Sequence, residues 1–200
     1  LELNAAAWLL RNIGRRQEIQ AIYNDDTIFG AAALDSRPPH DLTFTSASPR
    51  SLVSGMEFGV RAGDTIDFTN VELGMGDDFI GYDVDIVFLP IDVPAGLLPP
   101  PEPIVRVTEP TSFNAAADWS YESNPNGTWS YHDGNGLLME EVVEEWLPGD
   151  FELGQRAWTN SGENGVPGWI HSSAAGNTLD FPEDVVGCHG RAILRLTAPL

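Results

Sequence analysis

Residues 124–136 read NPNGTWSYHDGNG. Two turn signals, Asn126-Gly127 and Asp133-Gly134, bracket a short aromatic run, the pattern of a strand entered and left through tight turns. A strand alternates its side chains. Trp129 and Tyr131 therefore share one face, and Ser130 and His132 share the other. Trp119 and Tyr121 repeat the relation one strand earlier.

Moving toward the N-terminus, the same period recurs. In "RAGDTIDF" (61–68), Ile66 and Phe68 alternate with Thr65 and Asp67 after a Gly-Asp turn. In "GYDVDIVFLPI" (81–91), Tyr82, Val84, Ile86 and Phe88 alternate with Asp83, Asp85 and Val87. "IQAIYNDDTIFG" (19–30) places β-formers around an Asn-Asp-Asp turn, whereas "AAAWLLRNIGRR" (5–16) fits either a strand or a helical turn. Toward the C-terminus, "GQRAWTN", "GWIHSS", "NTLDF" and "RAILRLTAP" read as short strands. The exception is "GLLMEEVVEEWLPGD" (136–150). Its apolar residues Leu138, Met139, Val142, Val143, Trp146 and Leu147 fall on a helical stripe, with four glutamates opposite. The expectation is an all-β chain, a β-sandwich or jelly roll with one short helix at residues 137–147.

Pro90 and six further prolines in residues 91–112 cannot donate ladder hydrogen bonds. This segment, 90–112, is read as a crossover within a single domain spanning 1–200. The alternative is two β units, 1–90 and 113–200.

Thirty acidic residues against ten basic ones give a net charge of −20, and all ten basic residues are arginine. Such a surface repels a phosphate backbone and an anionic bilayer, so nucleic acid is an unsuitable partner. No stretch approaches the ~20 apolar residues a spanning helix needs, so membrane insertion is not expected. One cysteine, Cys188, allows no internal disulfide. Leu1 in place of a methionine reads as a trimmed start.

No nucleophile elbow, P-loop or dinucleotide fingerprint is present in the sequence. Aromatic faces can stack on sugar rings, which makes Trp119, Tyr121, Trp129, Tyr131 and Trp169 the candidate ligand-binding residues. Core packing is the competing reading, and Trp129 leans toward it. Asp77, Asp78 and Asp83 lie in an acidic stretch of the kind calcium prefers, without the ligand spacing of an EF-hand; turn formation is the alternative. His132, His171 and His189 are the candidates for a three-histidine transition-metal site. Cys188 beside His189 reads as a glycine-bounded loop or as a nucleophile pair, although neighbours on a strand face opposite ways.

"NPNGTWSY" (124–131), "RAWTNSG" (156–162) and "GCHGRAILRLTAP" (187–199) together resemble a β-sandwich domain of exported proteins of planctomycetes and exosortase-targeted bacteria. That family continues from a Trp-Ser-Tyr strand to a His-Pro-Gly loop and an Arg-Trp-Thr-Ala-Pro strand. Here the proline after His189 is missing and Leu196 stands for the tryptophan. The family's closing strands resemble "RAGDTIDF" and "GYDVDI", which here precede the opening motif, the order a circular permutation or a cut across tandem domains produces. The resemblance implies an exported, jelly-roll-like sandwich and transfers no catalytic residue. The functional expectation is an extracellular or cell-envelope module that binds glycan or mediates adhesion. The alternatives are a metal- or carboxylate-dependent enzyme acting on polysaccharide or ester, and a structural envelope subunit.

Overall fold

A computed structural model describes residues 1–10, 14–35, 44–72, 79–89, 110–147, 155–163, 165–172 and 181–199. The described elements are all strands. In chain order they are β1 (Glu2–Leu9), β2 (Arg16–Tyr23), β3 (Asp26–Asp35), β4 (Arg50–Glu57), β5 (Thr65–Glu72), β6 (Phe79–Phe88) and β7 (Thr111–Asn114). They continue as β8 (Trp129–Asp133), β9 (Glu141–Trp146), β10 (Gln155–Thr159), β11 (Gly168–His171), β12 (Val186–His189) and β13 (Ala192–Thr197).

Two antiparallel sheets pack as a sandwich. Sheet A runs β4-β1-β6-β12-β11-β10-β9, and sheet B runs β3-β2-β5-β13-β8. β6 is the spine of sheet A. β1 covers the whole of one of its edges, while β12 pairs with residues 79–82 and β7 with residues 85–88 on the other. Strands from either side of the proline-rich segment thus share both sheets, meeting where β12 pairs with β6 in sheet A and where β13 pairs with β5 in sheet B. Of the 90–112 segment, residues 111 and 112 begin β7, and residues 90–109 lie outside the described residues.

The alternation seen in the sequence becomes the core. Leu3, Ala5, Ala7 and Leu9 of β1 face inward with Tyr82, Val84 and Ile86 of β6. They meet Ile66, Phe68, Trp129, Tyr131, Leu194 and Leu196 of sheet B. Their complementary positions face out: Asp83 and Asp85 are exposed, as the period-two reading requires.

The outer face of sheet A carries a second buried cluster, including Trp8, Phe79, Trp146, Ile170 and Phe181. Its rings lie where the strands lack side chains. A Cβ added to Gly81 would stand 2.5 Å from the Trp8 indole, and one on Gly168 2.4 Å from that of Trp146. Both distances lie inside van der Waals contact, so these two glycines are cradles for tryptophan.

The helix expected at 137–147 is not formed; the segment is extended and ends in β9. Leu138 bridges to His132, Met139 N–H donates to the Tyr131 carbonyl at 3.0 Å, and residues 141–146 pair with β10. The reason lies in a bulge. Ala157 faces Val143 and Gln155 faces Trp146, two residues against three, so β9 carries one extra residue. Two buried side chains, Val143 and Trp146, thereby fall three apart and imitate helical spacing. Of the "GCHG" stretch, expected as a loop, residues 187–189 belong to strand β12. Cys188 joins the main core while His189 stacks on Phe79 of the outer cluster at 4.0 Å, so the two side chains face opposite ways.

Candidate functional site

Sheet A is wider than sheet B. Over β9, β10 and β11 its inner face is covered by the segment between β7 and β8, residues 115–128. Short side chains fold this segment. Asn114 Oδ1 accepts the amides of Ala116 and Ala117 at 2.9 Å each, and Asp118 Oδ2 accepts the Asn114 amide at 3.0 Å. Asn126 and Trp129 exchange backbone hydrogen bonds of 2.8 and 3.1 Å around Gly127, whose φ of 58° suits glycine. Asn124 then acts as a substitute strand along the free edge of β8. Its amide nitrogen donates to the carbonyls of Tyr131 and Met139 at 2.8 Å each, and its oxygen accepts the Tyr131 amide at 2.9 Å.

This scaffold sets an aromatic cluster against sheet A. The Trp119 ring lies 5.1 Å from Tyr121, 4.3 Å from Tyr131 and 5.8 Å from His171, the last nearly parallel at 23°. Tyr131 in turn meets Trp169 at 5.8 Å. The Tyr121 hydroxyl donates to the Arg156 carbonyl at 2.8 Å and accepts the His171 amide at 3.1 Å, which docks the loop on β10 and β11. Trp158 Nε1 donates to the Ser120 carbonyl at 2.7 Å and ties the loop down a second time. The Arg156 guanidinium sits 4.8 Å from the Tyr121 ring centre and pairs with Glu144 at 2.9 Å. These two side chains are 46% and 72% exposed, so their pair contributes little stability and stays available to a ligand.

Burial sets the electrostatics of the cluster. It pushes the Tyr121 hydroxyl up to about 12, against the His171 amide and Arg156, which favour the anion. Burial also holds His171 below the usual histidine range, partly offset by Asp184. Both rings are therefore neutral at pH 7. His171 Nε2 is enclosed and has no hydrogen-bond partner among the described residues, which leaves polar capacity unspent behind the exposed ring edges.

The five expected ligand-binding aromatics separate into two groups. Trp129, Tyr131 and Trp169 have no exposed surface and belong to the core. Trp119 and Tyr121 are half-buried and present surface at the loop. Sequence reading missed Arg156 and took Glu144 for one of four glutamates on a helix face. Arg156 was findable: it alternates with the inward Trp158 on the same strand face. Glu144 was hidden by the helical reading of its segment.

The three histidines do not converge. His132 lies on the outer face of sheet B, His171 on the inner face of sheet A, and His189 on the outer face of sheet A. Among the described residues no group of three or more His, Cys, Asp or Glu side chains is arranged to hold a metal ion. Asp77 and Asp78 lie outside the described residues. Asp83 is exposed beside Asp85, and partial desolvation together with that neighbour raises its carboxyl above the usual range. Asp85 itself accepts the Asn114 side-chain amide at 2.7 Å.

Comparison of the chain with protein-family models, curated proteins and solved structures returns no match.

Proposed function

We propose that this chain is a secreted or cell-surface β-sandwich module that binds neutral glycan at Trp119 and Tyr121. The observation that carries this reading is the pairing of two half-buried rings with an exposed Arg156–Glu144 ion pair on a loop-and-sheet support. Ring faces stack on the apolar faces of sugars, while guanidinium and carboxylate groups take hydroxyl pairs in a fixed geometry. Because loop 115–128 is held by side-chain caps and by three hydrogen bonds to sheet A, little ordering entropy remains to be lost on binding. The surplus of negative charge favours uncharged sugars over uronic or sulfated ones. The export-module resemblance of residues 124–131 supports an extracellular or cell-envelope setting.

The sheet edges favour a binding role over assembly by strand addition. β4 and β9 are bulged, β9 also carries glutamates, and β8 is sealed by Asn124 and Met139.

Pull-down on insoluble cellulose, xylan and mannan tests the proposal. Retention by at least one of them is expected, with about a tenfold loss in Trp119→Ala, the equivalent of ~1.4 kcal/mol. Trp119→Ala should keep a cooperative melt. Equal retention of the wild type and Trp119→Ala, or none on any of the three, would overturn it.

A further inference from the structure

The outer face of β8 holds an arrangement that the glycan site does not use. Ser130 and His132 stand two residues apart on one strand face, and Ser130 Oγ lies 2.8 Å from His132 Nε2. His132 Nδ1 lies 3.1 Å from the Gly136 carbonyl oxygen. A carbonyl only accepts, so Nδ1 carries the proton. Nε2 is then the acceptor, and the serine hydroxyl donates to it. The turn that places this carbonyl is itself pinned: Asp133 Oδ1 accepts the amides of Asn135 and Leu137 at 2.8 and 2.9 Å. Gly136 sits at a φ of 82°, which a side chain would strain.

The neighbouring strand completes the setting. Arg195 stands opposite Ser130 in the β13–β8 register, and Asp67 fixes it through Nε and Nη2 at 2.7 Å each. Burial keeps His132 below the usual histidine range, with Arg195 acting the same way and Gly136, Asp67 and Asp133 acting against it. The imidazole is thus neutral at pH 7, the form that accepts a proton. Nucleophile, base and base-orienting acceptor are all in hydrogen-bond reach, the minimal requirement for an activated serine.

We propose that Ser130, with His132 as its base and the Gly136 carbonyl as orienting group, is an acyl-accepting nucleophile for small carboxylic esters. Ser130 Oγ bonds to the ester carbonyl carbon as its proton passes to His132 Nε2. The tetrahedral oxyanion forms on the face where Arg195 is held. The carbon–alkoxide bond then breaks, His132 returns the proton to the departing alcohol, and an acyl-serine remains. Water, deprotonated by His132, releases the carboxylic acid and restores Ser130. The net change is ester plus water to acid plus alcohol. Ser130 and His132 are only 5% and 7% exposed, which restricts the acyl group to a small one such as acetyl.

The test is labelling of the whole chain with a small fluorophosphonate, in which Ser130 Oγ displaces fluoride, read by intact mass and peptide mapping. One adduct on Ser130 is expected. It should be absent in Ser130→Ala and slowed at least 100-fold in His132→Gln. Hydrolysis of p-nitrophenyl acetate should follow the same order. An unlabelled wild type, an adduct elsewhere, or undiminished labelling of folded His132→Gln would overturn the assignment. The wild-type result decides whether Ser130 is a nucleophile even if His132→Gln fails to fold.

Discussion

Replacing Trp129 by alanine is expected to cost about 3–5 kcal/mol and to abolish the folded state over much of the usual temperature range. The ring has no exposed surface and lies in the core shared by both sheets. Its Nε1 also donates to Asp118 Oδ2 at 3.1 Å, so the substitution strips a partner from the loop that carries Trp119. A domain of this size has a total stability of about 5–15 kcal/mol, of which this loss is a large share. Urea unfolding measures it directly: the midpoint should fall sharply in Trp129→Ala and move little in Trp119→Ala. Equal midpoints for the two variants would place Trp129 outside the core.

The second large effect comes from a polar residue. Asn124→Ala is expected to cost about 2–3 kcal/mol, since it leaves the Tyr131 amide without its partner and removes a donor from two carbonyls along the β8 edge. Asn124→Asp should recover none of it: the carboxylate still accepts the Tyr131 amide but meets the Tyr131 and Met139 carbonyls with no donor. Thermal melts of the two variants check this, and an Asn124→Asp protein as stable as the wild type would contradict the edge-strand role of Asn124.

The contrast between these residues shows what the sequence exposes and what it withholds. Strand period two placed Trp129 with Tyr131 and Asp83 with Asp85 correctly, because alternation is a local property of an extended chain. It could not say which face of β8 was the core, since Trp129 and Trp119 carry the same chemistry. That distinction depends on sheet A overhanging sheet B, a long-range fact. The bulge in β9 is a different failure. One extra residue turned a two-residue period into a three-residue spacing, and Glu144 and Glu145 on the intervening positions completed the imitation of an amphipathic helix. The histidines failed for a third reason: sequence proximity to aromatics gave no hint that they lie on three separate sheet faces. Asn124 read only as the start of the NPNGTWSY stretch, and its work as a stand-in strand needs Tyr131 and Met139 brought alongside it. Arg156 was the part of the site most open to reading, through its alternation with Trp158.

The account rests on a division among six tryptophans: Trp8, Trp129, Trp146, Trp158 and Trp169 are buried, and Trp119 alone is only partly so. Fluorine NMR of protein labelled with 5-fluorotryptophan, titrated with soluble xylan or mannan, tests it most directly. One resonance should move on binding, and it should be the one missing from Trp119→Phe. Binding that shifts Trp129 or Trp169 while the Trp119 signal stays still would contradict the account.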